Sequence, residues 1–169
     1  MSALSETRVE AVVARADEDL ALRALTIARR TALGVLGDRE AAADVAQEVA
    51  LTAVRRRVAL RDPTAFDGWV HRIAVRAALR EAGRHRRRRT AEEARAALEP
   101  DAPDPGLANP LALLDGLPPR QRAALTLRYV HDLPDDAIAR ALRCRPGTVR
   151  SLLSRGREAV RHRLEESSQ

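Results

Sequence analysis

The chain has 169 residues, 45% hydrophobic and 32% charged, which is enough apolar content for one ordinary domain or two small ones. Its apolar residues are overwhelmingly Ala, Leu and Val, with one Phe, one Trp and one Tyr, a balance that favours helices and argues against a sheet protein. The formal charge is +6 and all 30 basic side chains are Arg; a single cysteine excludes an internal disulfide, and no stretch approaches the roughly 18 apolar residues of a membrane span.

In chain order, the N-terminus carries Glu6, Glu10, Asp17, Glu18 and Asp19 instead of a basic segment followed by an apolar one, which argues against a secretory signal and for a cytoplasmic protein. Leu20 to Leu36 reads as a first helix. Gly37 is a permissive residue at its end, and Asp38 supplies an N-cap for a second helix from Arg39 to about Val58. Asp62-Pro63 marks a turn, after which a third helix starts near Thr64 and runs through Trp69, Ile73 and Ala77 towards Arg88. From Glu92 to Pro110, five acidic residues accompany one Arg, and Pro100, Pro103, Pro105 and Pro110 stand too close together for a helix to persist. This stretch is a linker, either solvated or folded back onto one of the basic segments that flank it.

Beyond it, Pro119 sits at a helix start, and Arg120 to Val130 carries apolar residues at Ala124, Leu125, Leu127 and Tyr129. A loop at His131-Asp132-Leu133 leads to a short helix from Asp135 to Leu142. A three-residue turn, Arg143-Cys144-Arg145, then precedes a longer helix opened by Pro146 and ending near Leu164. Two helices joined by so tight a turn make a helix-turn-helix. The expected fold is therefore all-α, with helical domains at 1–90 and 112–169 joined by a flexible acidic linker at 91–111.

The position of the charge points to a polyanion. Five Arg fall between Arg84 and Arg89, and seven lie between Arg143 and Arg163 with only Glu158 opposing them. In a helix-turn-helix the second helix needs an apolar back and a polar, cationic front. Val149, Leu153 and Val160 supply the back; Arg150, Ser151, Ser154 and Arg155 occupy another face. Arg suits bidentate contact with guanine, and Ser can donate or accept at a base edge or a phosphate. Duplex DNA is the expected ligand. Arg72, Arg76 and Arg80 repeat every four residues along the third helix as a second cationic stripe, continued by Arg84. Trp69 is either core or a base-stacking platform.

The segment LPPRQRAALTLRYVHDLPDDAIARALRCRPGTVRSLLSRGREAVRHRL, Leu117 to Leu164, closely resembles the C-terminal domain of extracytoplasmic-function sigma factors of the sigma-70 family. That resemblance implies reading of a promoter minus-35 element by Arg150, Ser151, Ser154 and Arg155, with Thr148 near the helix start and Arg145 at the turn. GDREAAADVAQEVALTAVRRR, from Gly37, is similar to the family helix that docks on core RNA polymerase, with Asp44, Gln47 and Glu48 at its polar positions. FDGWVHRIAVRAALREAGRHRRRR, from Phe66, resembles the segment that captures the minus-10 element, and places Trp69, Arg72, Arg76, Arg80 and Arg84 there. An anti-sigma protein that clamps the two domains is a further partner the resemblance implies.

The chain departs from the family pattern at Arg76, where Asn is usual, near Arg80, where Asp is frequent, and at Ala50 and Val54, where aromatics are usual. An Arg alters the pocket for an unpaired base and points to an unusual promoter preference or weak strand opening. Leu152 replaces a basic residue and is a thymine-methyl contact, a partner contact or neutral. Arg145 replaces a cap residue and cannot accept from the helix amides, a loss typically of about 1 kcal/mol.

No enzyme is expected. His71, His85, His131 and His162 are scattered, no Cys or His cluster has metal-ligand spacing, and no Gly-rich phosphate loop is present, so no cofactor, metal or small-molecule substrate is expected. Cys144 is either a packing residue or an oxidation sensor. Two rival readings are a helix-turn-helix regulator that acts without core polymerase and a sigma-like decoy that binds core without starting transcription.

Overall fold

A computed structural model describes residues 3–93 and 112–166. The N-terminal unit contains α1 (Ala3–Leu36), α2 (Arg39–Arg56) and α3 (Phe66–Glu93); the C-terminal unit contains α4 (Pro119–Tyr129), α5 (Asp135–Leu142) and α6 (Pro146–Glu166). Among the described residues the remaining regular structure is three short 3-10 turns, at Arg57–Ala59, Pro63–Ala65 and Ala112–Leu114. Most of the linker expected at 91–111 lies outside the described residues.

The junctions follow their sequence signals. Gly37 adopts φ +74°, the left-handed conformation that ends α1 at little cost for glycine. Asp38 then caps α2, its Oδ1 accepting from the Ala41 amide at 2.9 Å. Asp62 accepts from the Thr64 amide at 2.9 Å and the Thr64 hydroxyl at 2.7 Å, which sets the entry to α3 and holds the Asp62 carboxyl below its ordinary range. Two elements outrun their expected limits. Helix α1 begins at Ala3, not Leu20, because residues 3–19 contain neither Gly nor Pro and the acidic Asp17, Glu18 and Asp19 interrupt the charge pattern without breaking the backbone. Asp17 is instead held by Arg57 at 2.7 Å, which joins α1 to the end of α2. Helix α3 continues to Glu93, three residues into the segment expected as linker.

Small side chains set the packing. Ala24, Ala28 and Ala32 recur every four residues on α1 and are fully buried, as are Val70, Ala74 and Ala78 on α3. On α2, Ala42, Val45, Ala46, Val49, Ala50 and Ala53 form the inward face. Such stripes let three helices approach closely, and Ala50 is part of that contact, so an aromatic there would have to displace it. In the C-terminal unit, Leu127, Ile138 and Val149 are fully buried, one from each helix. Gly156 lets α6 meet α4: a Cβ there would stand 2.8 Å from Leu125 Cδ1.

The two units also pack on one another, and the buried apolar residues of both form one continuous core. Helix α4 lies against α1 and α3, and α5 against α3. The closest approach is at Gly34, where a Cβ would stand 2.2 Å from Thr126 Oγ1. The Arg122 Nε donates to the Gly34 carbonyl at 3.3 Å, an Arg at the negative end of α1. Ile138→Ala removes a fully buried side chain from the centre of the C-terminal unit and is expected to cost roughly 2–5 kcal/mol, read as a lower midpoint of urea unfolding.

Candidate nucleic-acid interface

The C-terminal helix pair is held by a strained but well-bonded turn. Arg143 adopts φ 50° and ψ 56°, a left-handed conformation normally reserved for Gly or Asn and costing about 1 kcal/mol or more for other residues. It lets the Cys144 amide bond back to the Ala139 carbonyl at 3.0 Å. The carbonyl of Arg145 then accepts from the Thr148 and Val149 amides at 2.9 and 3.2 Å, opening α6 directly behind Pro146. At the N-terminus of α5, Asp135 is bound by Arg128 from α4, so a carboxylate lies at the positive end of the helix.

Each minus-35 candidate is exposed on one side of this frame. Arg145, Thr148, Arg150, Ser151, Ser154 and Arg155 all face solvent, while Val149, Leu153 and Gly156 are buried and Val160 packs partly against the core. The helix therefore has the apolar back and cationic front that its periodicity indicates. Ser151 Oγ donates to the Gly147 carbonyl at 3.1 Å, which commits its hydrogen and leaves oxygen lone pairs for a donor. Leu152 is half-buried and packs against the core, a role outside the three readings its sequence position offered. Cys144 is a free, half-buried thiol that also contacts the core.

The α3 stripe is only partly available. Arg80 and Arg84 are exposed, and Arg84 is paired with Glu81, which lowers the Glu81 carboxyl through that hydrogen bond. Arg72 is half-buried. Trp69 is half-buried against the core, with its ring 6.1 Å from Phe66 at 55°, a packing contact. Asp44, Gln47 and Glu48 are exposed together on α2, with the buried Ala and Val face behind them, and Leu51 is 57% exposed beside them. The structure thus assembles three faces: the front of α6, the outer face of α2, and the far end of α3.

Arg76 behaves differently from the other cations. Its Nη2 donates to the Arg140 carbonyl at 3.2 Å and its Nε to the Ala141 carbonyl at 3.4 Å, across the boundary between the two units. Arg120 Nη2 donates to the Leu142 carbonyl at 3.1 Å. With the Arg143 and Cys144 amides on Ala139, all four terminal carbonyls of α5 have donors. Burial, together with Arg143 and Arg72, lowers the Arg76 pKa from its ordinary value.

Beside Arg76 lies a cluster that sequence reading missed. His71 on α3 and His131 in the loop after α4 meet edge to face, with ring centroids 4.5 Å apart. His131 Nε2 is 2.9 Å from Thr31 Oγ1, and that hydroxyl donates to the Ile27 carbonyl at 2.8 Å, so His131 is the donor of the pair. Sixty residues separate the two histidines, and no local spacing announces them. Among the described residues, no group of three or more His, Cys, Asp or Glu could hold a metal ion, and no helix is long and apolar enough to cross a membrane.

Comparison with known proteins gives these faces a family. The profile for sigma-70 region 2 matches residues 20–89, and that for sigma-70, region 4 matches residues 111–160. The ECF RNA polymerase sigma factor SigE of Mycolicibacterium smegmatis is 36% identical over 149 residues, covering 82% of this chain and 58% of that protein. The RNA polymerase sigma-H factor of Pseudomonas aeruginosa is 34% identical over 73% of this chain and 72% of its own length. The ECF RNA polymerase sigma-E factor of Escherichia coli K12 is 31% identical, with coverages of 72% and 73%. Among solved structures, the sigma factor RpoE of Bartonella quintana, crystallised with the anti-sigma factor NepR, shares the fold at a TM-score of 0.69 and 21% identity, over 88% of this chain and 96% of that one. The chain belongs to the extracytoplasmic-function sigma factors of the sigma-70 family.

Proposed function

We propose that the protein is an alternative sigma factor that binds core RNA polymerase and directs initiation at specific promoters. The observation that carries this reading is the front of α6: five polar or cationic side chains, with Arg145 in the turn before them, exposed together over a buried apolar back, in a chain of this family. Residues 112–169 act as the minus-35 reader, with Arg150 and Arg155 suited to guanine or phosphate and Thr148, Ser151 and Ser154 to hydroxyl contacts. Residues 1–90 dock on core through Asp44, Gln47 and Glu48, and α3 offers Arg72, Arg76, Arg80 and Arg84 to the minus-10 region. The stretch expected as linker at 91–111, less the three residues that α3 takes up, is the tether.

Neither unit need bind promoter tightly alone, because holding both on one polymerase raises the effective concentration of the second contact. The protein works in the cytoplasm by recruitment and performs no chemistry of its own. A partner of the anti-sigma class fits the family, as the Bartonella relative is bound to one.

Arg150→Ala and Arg155→Ala are each expected to weaken duplex binding by roughly 1–3 kcal/mol where the contact is bidentate to a base, measured by titration of a labelled promoter fragment at fixed salt. Unchanged affinity in both removes the recognition face. The double variant Asp44→Arg, Gln47→Arg is expected to weaken co-elution with core polymerase and to leave duplex binding through α6 intact. Full core affinity in that variant shows that the docking face lies elsewhere. The function itself is tested by reconstitution with bacterial core enzyme, where specific initiation is expected. Core binding without initiation identifies a decoy, and DNA binding without core affinity identifies a regulator that acts alone.

A further inference from the structure

The interface between the two units has a polar centre whose Thr and His side chains lie outside the proposed promoter-reading and core-docking sets. Thr31 on α1, His71 on α3 and His131 from the loop after α4 converge there, and Arg76 extends the contact onto the last carbonyls of α5. His71 is 7% exposed and neither of its ring nitrogens has a hydrogen-bond partner. We propose that this contact is a proton-released clasp: the Thr31, His71 and His131 cluster holds the chain closed and keeps Arg76 off promoter DNA until the histidines take up protons.

The role of Arg76 in DNA binding rests on the proposed function; the closure itself does not. Promoter elements centred near minus 10 and minus 35 are about 25 base pairs apart, or about 85 Å along B-DNA at about 3.4 Å per pair. In the closed chain Arg76 is hydrogen-bonded to α5, the helix adjoining the recognition helix, so α3 and α6 cannot span that distance together. Closing leaves the front of α6 and the docking face of α2 open to solvent and withholds Arg76.

The cluster disfavours charge. Burial lowers the His131 pKa to about 4, with His71 and Arg30 adding repulsion. Burial likewise lowers His71, while Asp67 on its own helix opposes the shift and is itself held by Arg23 of α1 at 2.6 Å. The Arg128–Asp135 pair flanks the loop that carries His131. For a histidine whose closed-state value lies below its solvated value, closure is fully supported above about 6.5 and is lost as pH falls from about 6.5 towards 4. For His131 alone, moving from about pH 7.5 to about pH 5 shifts the balance towards the open form by a factor of roughly 25.

Small-angle X-ray scattering of the full chain, with circular dichroism on the same samples, tests the clasp without reference to transcription. At about pH 7.5 the radius of gyration is expected near 15–16 Å, and at about pH 5 it should rise by several ångström with helix content unchanged. The double variant His71→Leu, His131→Gln keeps a neutral donor for Thr31 and is expected to stay compact at both pH values. Gly34→Ala, whose Cβ would stand 2.2 Å from Thr126 Oγ1, is expected to open the chain at both while keeping its helices. The clasp is overturned if the wild type stays compact at about pH 5, if the double variant swells as the wild type does, or if swelling parallels loss of helix.

Discussion

The hydrogen bonds from Arg76 to the carbonyls of Arg140 and Ala141 make the C-terminal unit depend on the N-terminal one for capping one of its helices. A helix C-terminus leaves its last carbonyls without internal partners, and a short helix has little other packing with which to offset that. Helix α5 has eight residues, yet it must brace α6 rigidly enough to present a recognition face. Its solution is external: one Arg from α4 and one from α3 meet its negative end, as a cationic group favours. The C-terminal unit thus supplies only part of its own capping, and the rest comes from the unit expected to bind elsewhere on the promoter.

The cores of the two units have different characters. The N-terminal unit is stapled by alanine, with Ala24, Ala28, Ala32, Ala74 and Ala78 fully buried, so its stability comes from close helix contact over length more than from large side chains. The C-terminal unit relies on fewer, bulkier residues: Leu127, Ile138 and Val149. Where the units meet, Gly34 against Thr126 keeps the backbones close, while burial around His131 disfavours its charged form. A contact built in this way is tight in shape and sensitive in charge.

Local signals made much of the architecture legible. Gly37 and Asp38, Asp62 and Pro63, Pro119, and the three-residue turn before Pro146 each mark a boundary because the backbone there needs a specific φ or cap. The front of α6 was legible for the same reason, since a period of 3.6 places Val149 and Leu153 behind Arg150 and Ser154. The extension of α1 back to Ala3 was not, because charged residues near Asp17 resemble a helix start while costing a helix little. The left-handed Arg143 was hidden too, as a turn of that shape normally advertises itself by glycine. Least legible were the His71–His131 contact and the engagement of Arg76, which exist only because two separately readable units pack together.

Arg76 has the chemistry to serve either side of that packing. A guanidinium offers several donors in one plane, and those now given to two neutral carbonyls would bind a phosphate more strongly, because the anion adds a charge–charge attraction and can take two parallel N–H bonds at once. The exchange leaves the Arg140 and Ala141 carbonyls to water once the units separate, a modest loss at a surface. Arg76 therefore favours closure only while DNA is absent, and the persistence of the closed form must come from the neighbouring shape contact at Gly34 and Thr126 and from the neutral histidines. The residue that departs from the family's usual Asn is thus the one whose two partners, helix end and polyanion, compete for the same donors.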